Sequence, residues 1–378
     1  MAKLSEEQGM LRDAASDWVR ESAPLARLRR LREHDTGTGY EPELYEGMVQ
    51  MGWTGILVPE EYGGSAFGCL GMGLVLEQLG RQLVASPLVA TAVASASVLA
   101  LGGSAQQQRR WLPGIAEGRV LATLALDEGD RHAPQAITTT AIRNADGWRL
   151  DGSKRPVCYG LAADLLVVAA RISDGDGHDG GIGLFLVEAS ADGLRRTRLH
   201  EIDTRGAAIV AFDGVQVSDA GVLGAPGGAG PLLDRALDRA RACTAMEMLG
   251  AAQQAFETTL DHLKTRVQFG QLIGAFQALQ HRAAGLYGEL ELTRSAVEAA
   301  LRALDEDDAD SPARVSLAKA LAGDTFRLVA AEAIQLHGGI GMTEEHDAGL
   351  YFKRARSADL SYGDAAFHRE RYGVLRGY

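Results

Sequence analysis

The chain has 378 residues, which exceeds the length that one hydrophobic core usually serves, so two or three domains are expected. Its 38 basic and 50 acidic residues give a net charge of −12, which argues against nucleic acid as a partner because phosphate neutralisation needs a basic surface. The three cysteines are too few for a disulfide framework or a zinc site, so reduced, intracellular thiols are expected.

The N-terminal region, residues 1–119, is predicted to be helical. Apolar side chains recur at helical spacing from Leu11 to Leu31 and from Leu74 to Leu83. The sequence begins with charged residues where a secretory signal would need an apolar core, and no uncharged apolar run reaches the length of a membrane span. We therefore expect a soluble, cytoplasmic protein without a membrane partner.

The central region, residues 120–228, consists of short apolar runs separated by Gly and Asp. Runs of this length with frequent turn residues predict an antiparallel β domain. Within it, Asp174 to Gly181 is too poor in apolar residues to pack and is predicted to be a loop tip. This loop lacks the spacing and the distal Glu of a calcium site, so no metal is expected.

The C-terminal region, residues 229–378, follows a glycine-rich segment, Gly224 to Gly230, that is predicted to be a hinge. Long helices are predicted at about Pro231 to Lys264, Phe276 to Leu304 and Pro312 to Leu336. The residue patterns of the three regions predict an α+β protein with a helical domain, a β domain and a second helical domain in that order.

One carboxylate stands out in the first long helix. The stretch from Ala242 to Ala252 is uncharged except for Glu247. Its neighbours one turn away are all small, which predicts room beside it for a flat ligand; they are Cys243, Thr244, Gly250 and Ala251. A carboxylate in such a helix is either neutralised by a partner or used in chemistry, so Glu247 is a candidate catalytic residue.

Two motifs follow in the C-terminal region. The first is R-V-Q-F-G-Q-L-I-G-A-F-Q from Arg266 to Gln277, and the second is Q-L-H-G-G-I-G-M-T-E-E-H from Gln335 to His346. Together they resemble the two flavin-contacting signatures of the acyl-CoA dehydrogenase family, and weaker matches extend from about Gly52 to Tyr378. The resemblance implies an N-terminal helical domain, a central β domain and a C-terminal four-helix domain, with FAD as cofactor and assembly into dimers or tetramers through the C-terminal helices.

The resemblance assigns roles in FAD binding to the first motif. It implies that Arg266 pairs with the diphosphate of a neighbouring subunit's FAD, that Gln268 and Phe269 line the site, and that Gln277 contacts the adenosine half. Arginine offers bidentate donors to phosphate, and aromatic faces pack on a cofactor. Without the resemblance, Arg266 and Phe269 would be interpreted as a helix-end cation and a core aromatic.

In the second motif the implied FAD contacts are Gln335, Gly338 and Gly339. Paired glycines let a backbone approach an anionic group closely, although the same pattern also ends helices. For the substrate, Asp238 and Arg241 match an Asp-x-x-Arg that faces the acyl-CoA thioester in the family. The alternative for that pair is a local ion pair on a solvated helix.

The usual catalytic carboxylates of the family are missing. Gly363 stands where many members have a Glu near the C-terminus, and Ala240 stands where another subset places its Glu on the long helix. Glu247 lies about 10 Å beyond Ala240 along the helix axis, and Asp364 adjoins the other vacant position. Because capping of the following helix already explains Asp364, Glu247 is the preferred base and Asp364 the second choice.

Two segments of the β domain that face the flavin in the family also differ. Asp127 stands where Thr is usual, and Pro156 and Cys158 stand where an aromatic residue and a Thr are usual. These changes predict that the affinity for the flavin or its orientation differs from that in the family.

The resemblance implies FAD-dependent α,β-dehydrogenation of an acyl-CoA thioester. A carboxylate, made more basic by desolvation, would take the α proton while hydride leaves the β carbon for the flavin. Electron-transfer flavoprotein or a similar acceptor, and a second copy or a paralogous subunit, are the implied partners. Two alternatives remain: a non-catalytic subunit that shares flavin sites with an active paralogue, and a flavin monooxygenase on the same scaffold. In the family, scattered side chains shape the acyl pocket, so these motifs specify no particular acyl group.

Overall fold

The computed structural model describes residues 3–34, 37–173 and 180–378. The N-terminal region is helical, as predicted. Its α-helices are α1 (Glu6–Ser22), α2 (Ala26–Glu33), α3 (Pro42–Gln50), α4 (Gly68–Arg81), α5 (Ala96–Gly102) and α6 (Ala105–Ala116), with a π-helix over Val89–Ser95. Ser5 and Ser104 begin α1 and α6 with reciprocal capping boxes, which satisfy backbone donors that the helices leave open.

The central region forms a sheet in the strand order β6-β7-β3-β2-β4-β5-β8, with β1 paired to β4. The strands are β1 (Ala122–Ala125), β2 (Thr140–Asn144), β3 (Gly147–Val157), β4 (Leu165–Ser173), β5 (Ile182–Glu188), β6 (Leu194–Arg198), β7 (Ala208–Val217) and β8 (Val222–Leu223). Residues 174–179 of the predicted loop tip lie outside the described residues.

The sequence predicted an antiparallel sheet, whereas the observed sheet is mixed. Most pairs are antiparallel, but β1 and β2 both run parallel to β4. The chain leaves β3 and returns through residues 158–164, so β4 enters beside β2 in the same direction. The alternation of apolar and polar residues along a single strand does not indicate whether its neighbour runs parallel or antiparallel. Leu165 to Ala170 of β4 are all fully buried, as expected of a central strand covered on both faces.

The C-terminal region contains long helices whose ends each lie one residue from the predicted positions. They are α7 (Gly230–Thr265), α8 (Gln277–Asp305) and α9 (Ser311–His337), followed by α10 (Ala348–Leu360) and α11 (Ala365–Leu375). A hairpin of β9 (Val267–Gln268) and β10 (Gln271–Leu272) separates α7 from α8. The predicted order of helical region, sheet and helical bundle is therefore confirmed.

The packing groups these elements into two compact units. The helical unit holds the chain up to Leu28, Cys69–Val84 and Arg241 to the C-terminus, so α4 packs with the C-terminal helices. The sheet unit holds Arg29–Gly68 and Ala85–Ala240. The three sequence domains, 1–119, 120–228 and 229–378, stay a prediction. None of the helices in the described ranges combines the length and hydropathy that crossing a bilayer requires.

Candidate FAD and acyl-CoA site

The first motif projects from the helical unit as the β9–β10 hairpin. Its tip is Phe269, which is 91% exposed and adopts φ +53°, followed by Gly270 at φ +78°. Val267 is 54% exposed, and Arg266, Gln268 and Gln277 are exposed as well. Phe269 contacts Phe276 edge to face, with ring centroids 6.1 Å apart. The motif is thus no core element, and the alternative interpretation of Phe269 as a core aromatic was wrong.

The second motif ends α9 with an open backbone turn. Gln335 is exposed in the last turn of the helix, and Gly338 follows the helix with φ +67°. A Cβ on Gly338 or Gly339 would meet nothing within 4 Å. The space beside both α-carbons is therefore open to an approaching group, while the Gly338 N–H already donates to the Gln335 carbonyl.

Three histidines that the sequence interpretation did not single out are in ring contact beside the two motifs. His262 lies in the last turn of α7, His337 ends α9, and His346 lies just before α10. The ring centroids of His262 and His337 are 4.5 Å apart, and those of His337 and His346 are 4.2 Å apart. We call this group the histidine column. The sequence offered one sign of this group, because His337 lies between Gln335 and the paired glycines of the second motif.

Glu247 is buried on α7, with 7% of its surface exposed. Its Oε1 accepts a hydrogen bond from Nη1 of Arg354 at 3.3 Å, which makes an ion pair inside the helical unit. Arg354 is 2% exposed, and its Nη2 donates to the Leu83 carbonyl at 3.1 Å. Because a buried charge needs a partner, Arg354 accounts for the one carboxylate in this uncharged stretch. The sequence interpretation missed Arg354, which lies 107 residues away along the chain.

The small residues around Glu247 serve helix packing. A Cβ on Gly250 would lie 1.9 Å from the Glu77 carbonyl oxygen, and a Cβ on Gly80 would lie 2.0 Å from the Glu247 carbonyl oxygen. Helices α4 and α7 therefore cross at close backbone contact. The predicted room for a flat ligand is therefore absent at Gly250, where α4 fills it.

The segment before α11 holds the second candidate base. Asp364 caps α11, since its Oδ1 accepts the Phe367 N–H at 2.9 Å, and this confirms the predicted cap. Gly363 has φ +107°, and a Cβ there would lie 2.4 Å from a ring carbon of Phe367. A side chain at this vacant family position would thus be strained and crowded.

Buried cations hold this segment through its carbonyl groups. Lys319 is fully buried, and its Nζ donates to the carbonyl oxygens of Ala358, Asp359 and Gly363 at 3.3, 3.0 and 2.9 Å. Arg241 is also fully buried, and its Nε donates to the Tyr362 carbonyl at 3.2 Å. Asp238 is 3% exposed. The solvated-helix alternative for Asp238 and Arg241 was therefore wrong, and their contact with substrate stays a prediction.

In the sheet unit, the flavin-facing position Asp127 and its neighbour Glu128 both have polar partners. Asp127 contacts Nδ1 of His132 at 3.0 Å, and Glu128 accepts from Nζ of the fully buried Lys154 at 2.7 Å. Burial opposes ionisation of Glu128, but hydrogen bonds from Lys154, Thr138 and Thr139 outweigh it and lower its pKa to about 2. Hydrogen bonds thus fix the Asp127 and Glu128 side chains in place.

Three family models match the chain in order. The acyl-CoA dehydrogenase N-terminal domain matches residues 5–119, the middle domain 125–215 and the C-terminal domain 229–373. Cyclohex-1-ene-1-carbonyl-CoA dehydrogenase of Geobacter metallireducens is 30% identical over 370 residues, which cover 96% of each chain.

Two solved structures agree with these matches. A variant of the Tcur3481-Tcur3483 steroid ACAD is 33% identical, covers 98% of each chain and has a TM-score of 0.88. The ChsE4-ChsE5 complex of Mycobacterium tuberculosis is 26% identical, covers 100% of this chain and 99% of that chain, and has a TM-score of 0.87. With two carboxyl-terminal motifs, a central sheet and a helical bundle in the same order, this chain belongs to the acyl-CoA dehydrogenase family of FAD-dependent oxidoreductases.

Proposed function

We propose that the chain carries out FAD-dependent α,β-dehydrogenation of an acyl-CoA thioester. The observation that carries this proposal is the family match across all three segments, joined to the exposed hairpin and open glycine turn of the helical unit. Electron-transfer flavoprotein or a similar carrier is the proposed electron acceptor.

The exposed motifs fit a dinucleotide. Arg266 supplies a cation for the diphosphate, Phe269 an exposed aromatic face, and Gly338 with Gly339 an open backbone turn. We assign Gln268, Gln277 and Gln335 to the polar edges of the same cofactor. Since Phe269 projects 91% exposed from its own chain, the cofactor it serves is proposed to sit on a second subunit.

For the proton transfer, we propose Glu247 as the base of this chain. When bound, FAD accepts the hydride that leaves the β carbon. Glu247 would take the α proton as that C–H bond breaks and the α,β double bond forms, while Arg354, 3.3 Å away, orients its carboxylate. Asp238 and Arg241 are proposed to position the thioester.

A second candidate function is a non-catalytic subunit whose paralogue supplies the base. The specific observation that favours it is that both carboxylates of this chain already have structural partners, Arg354 for Glu247 and the α11 backbone for Asp364. Tcur3481-Tcur3483 and ChsE4-ChsE5 are each named as two components, which supports such an assembly for this chain.

The test is Glu247→Gln in the flavin-loaded protein, assayed with acyl-CoA substrates and an artificial electron acceptor. If Glu247 is the base, turnover falls by about 10²-fold or more, because Gln keeps the volume and loses the basicity. Asp364→Asn is the matched control, which retains turnover and loses about 1 kcal/mol of stability as a weakened cap.

Other outcomes assign the base elsewhere. Loss of turnover in Asp364→Asn alone reverses the two roles. Full turnover in both variants means that the base lies on another residue of this chain or on a partner subunit. Turnover that appears only with a co-purified paralogue supports the second candidate function. Protein that takes up no flavin, alone or with a paralogue, contradicts both.

A further inference from the structure

The histidine column joins the two proposed FAD motifs. His262 lies one helical turn before Arg266, whose N–H bonds the His262 carbonyl at 2.9 Å, and His337 immediately precedes Gly338 and Gly339. Neighbouring rings are tilted against each other by 35° and 47°, and no group of three His, Cys, Asp or Glu side chains in the described ranges could hold a metal ion. Metal binding therefore does not explain why these three rings lie together.

Hydrogen bonds define where the protons lie. Nδ1 of His337 must donate to the Ala333 carbonyl at 2.7 Å, since a carbonyl only accepts. Its Nε2 is buried and has no hydrogen-bond partner among the described residues, and the residue is 7% exposed. Nδ1 of His346 accepts the Ala348 N–H at 3.1 Å, so Nε2 carries the proton of that ring. The column thus keeps a buried acceptor nitrogen at its centre.

In the flavin-free chain, the surroundings of two members of the column disfavour their protonated form. Burial lowers the pKa of His262, and the positive charge of Arg266 lowers it further. Burial also lowers the pKa of His337, against the effect of the Ala333 carbonyl. Near His346, Glu344 pairs with Lys353 of α10 at 3.1 Å, and the acidic residues Glu345 and Asp347 flank His346 in the sequence.

An anion at the motifs would reverse this balance. A diphosphate that pairs with Arg266 removes the repulsion that Arg266 exerts on His262, and its own charge favours protonated imidazoles. His346 also lines a cavity of about 380 Å³ beside Met342 and Phe352, which gives the column a route for proton exchange with solvent.

We propose that His262, His337 and His346 form a proton-accepting column at the FAD diphosphate site, and that FAD binding draws a proton from solvent into it. The inference rests on the proposed placement of FAD at the two motifs. Its consequence is that FAD affinity falls as the pH rises from the acid side of neutrality, because the proton that accompanies binding becomes scarcer.

The experiment is calorimetric titration of the flavin-free protein with FAD at pH 7 in PIPES and in Tris, whose ionisation enthalpies differ. The difference between the two heats should correspond to uptake of about one proton per FAD, and Kd should weaken by up to about tenfold per pH unit in the same range. The readout does not depend on acyl-CoA turnover.

Variants locate the proton. His337→Phe keeps a stacking ring and removes the central acceptor, so proton uptake and the pH dependence of Kd should be lost or much reduced. Because His337 is buried, His262→Gln, at a half-buried ring, is the second variant if His337→Phe does not fold. His200→Gln changes an exposed histidine of the sheet unit and should leave the proton uptake unchanged.

The outcomes separate the two proposals. FAD binding without proton uptake overturns the inference and leaves the proposed function standing. Proton uptake that persists in both His337→Phe and His262→Gln also overturns it, since the proton then resides elsewhere. A protein that binds no FAD at any pH overturns the proposed function and this inference together.

Discussion

Glu247 has a different meaning in the sequence and in the fold. In the sequence it is an isolated carboxylate among uncharged neighbours, whereas in the fold it is one half of a buried ion pair with Arg354. A buried pair is weak evidence for stability in itself, but removing one partner leaves an uncompensated charge. Stability must therefore be measured beside turnover in any Glu247 variant, because each removes the carboxylate that compensates Arg354.

The first prediction uses this asymmetry. Glu247→Leu should lower the free energy of unfolding by about 3–5 kcal/mol, because Arg354 is left buried without its carboxylate. Glu247→Leu combined with Arg354→Met should recover much of that loss, since both charges are gone. Denaturant melts of the two single variants and the double variant measure the coupling. If the losses of stability in the two single variants simply add in the double variant, the ion pair with Arg354 does not explain the buried carboxylate of Glu247.

The second prediction concerns Glu128, whose pKa is lowered to about 2 from its ordinary value of 4.5. A carboxyl group with a depressed pKa contributes stability that is fully present above its unfolded pKa and is lost as the pH falls through the folded pKa. The thermal midpoint should therefore fall between about pH 4.5 and 2 partly because of Glu128. Glu128→Gln should flatten this fall in melts recorded at pH 3 and pH 5.5. An unchanged pH profile would mean that Lys154 and the threonines do not stabilise the ionised form.

At the scale of elements, the crossing of α4 and α7 organises the helical unit. The contact depends on Gly80 and Gly250, where each glycine faces a carbonyl oxygen of the opposite helix. Helix propensity alone would disfavour glycine at both positions. Close packing of the two backbones outweighs that cost.

The third prediction follows from this crossing. Gly250→Ala should destabilise the protein by about 2 kcal/mol or more, because its Cβ would force the two backbones apart. Gly285→Ala, on α8, is the matched control, since its Cβ would meet nothing within 4 Å. The control should gain up to about 1 kcal/mol from better helix propensity. Equal effects in thermal melts would show that the crossing is looser than the structure describes.

At the scale of the whole molecule, the helical unit exposes large apolar side chains. They include Phe269 at 91%, Met342 at 77%, Leu292 at 64%, Val267 at 54% and Ile340 at 43% exposure. Apolar side chains exposed in this number usually mark a protein interface. Their presence around the proposed FAD motifs supports assembly through the C-terminal helices.

The fourth prediction is that light scattering finds a dimer or a larger species and no stable flavin-loaded monomer. Arg266→Ala should weaken FAD retention during gel filtration, because it removes the cation proposed to pair with the diphosphate. Phe269→Ser should weaken association at fixed protein concentration, whereas Met10→Ser, on the exposed surface of α1, should not. A monomer that keeps its flavin would contradict the assignment of the first motif to a neighbouring subunit.

The sequence by itself determined the order of helical region, sheet and helical bundle. Periodicity is a local property, so the ends of α7, α8 and α9 were predicted to within one residue. The two C-terminal motifs were equally local, and the family matches confirm what they indicated. The cap at Asp364 was also readable, because its acceptor and donor lie three residues apart.

Only the tertiary structure decided which side chains neutralise one another. Arg354 meets Glu247 across 107 residues, and the glycine that admits α4 beside α7 was interpreted from the sequence as space for a ligand. The histidine column joins residues from three separate segments, and the parallel pairing of β2 with β4 depends on the path between them. Packing sets these relations between residues distant in the chain, whereas the sequence pattern reports only each residue's local neighbours.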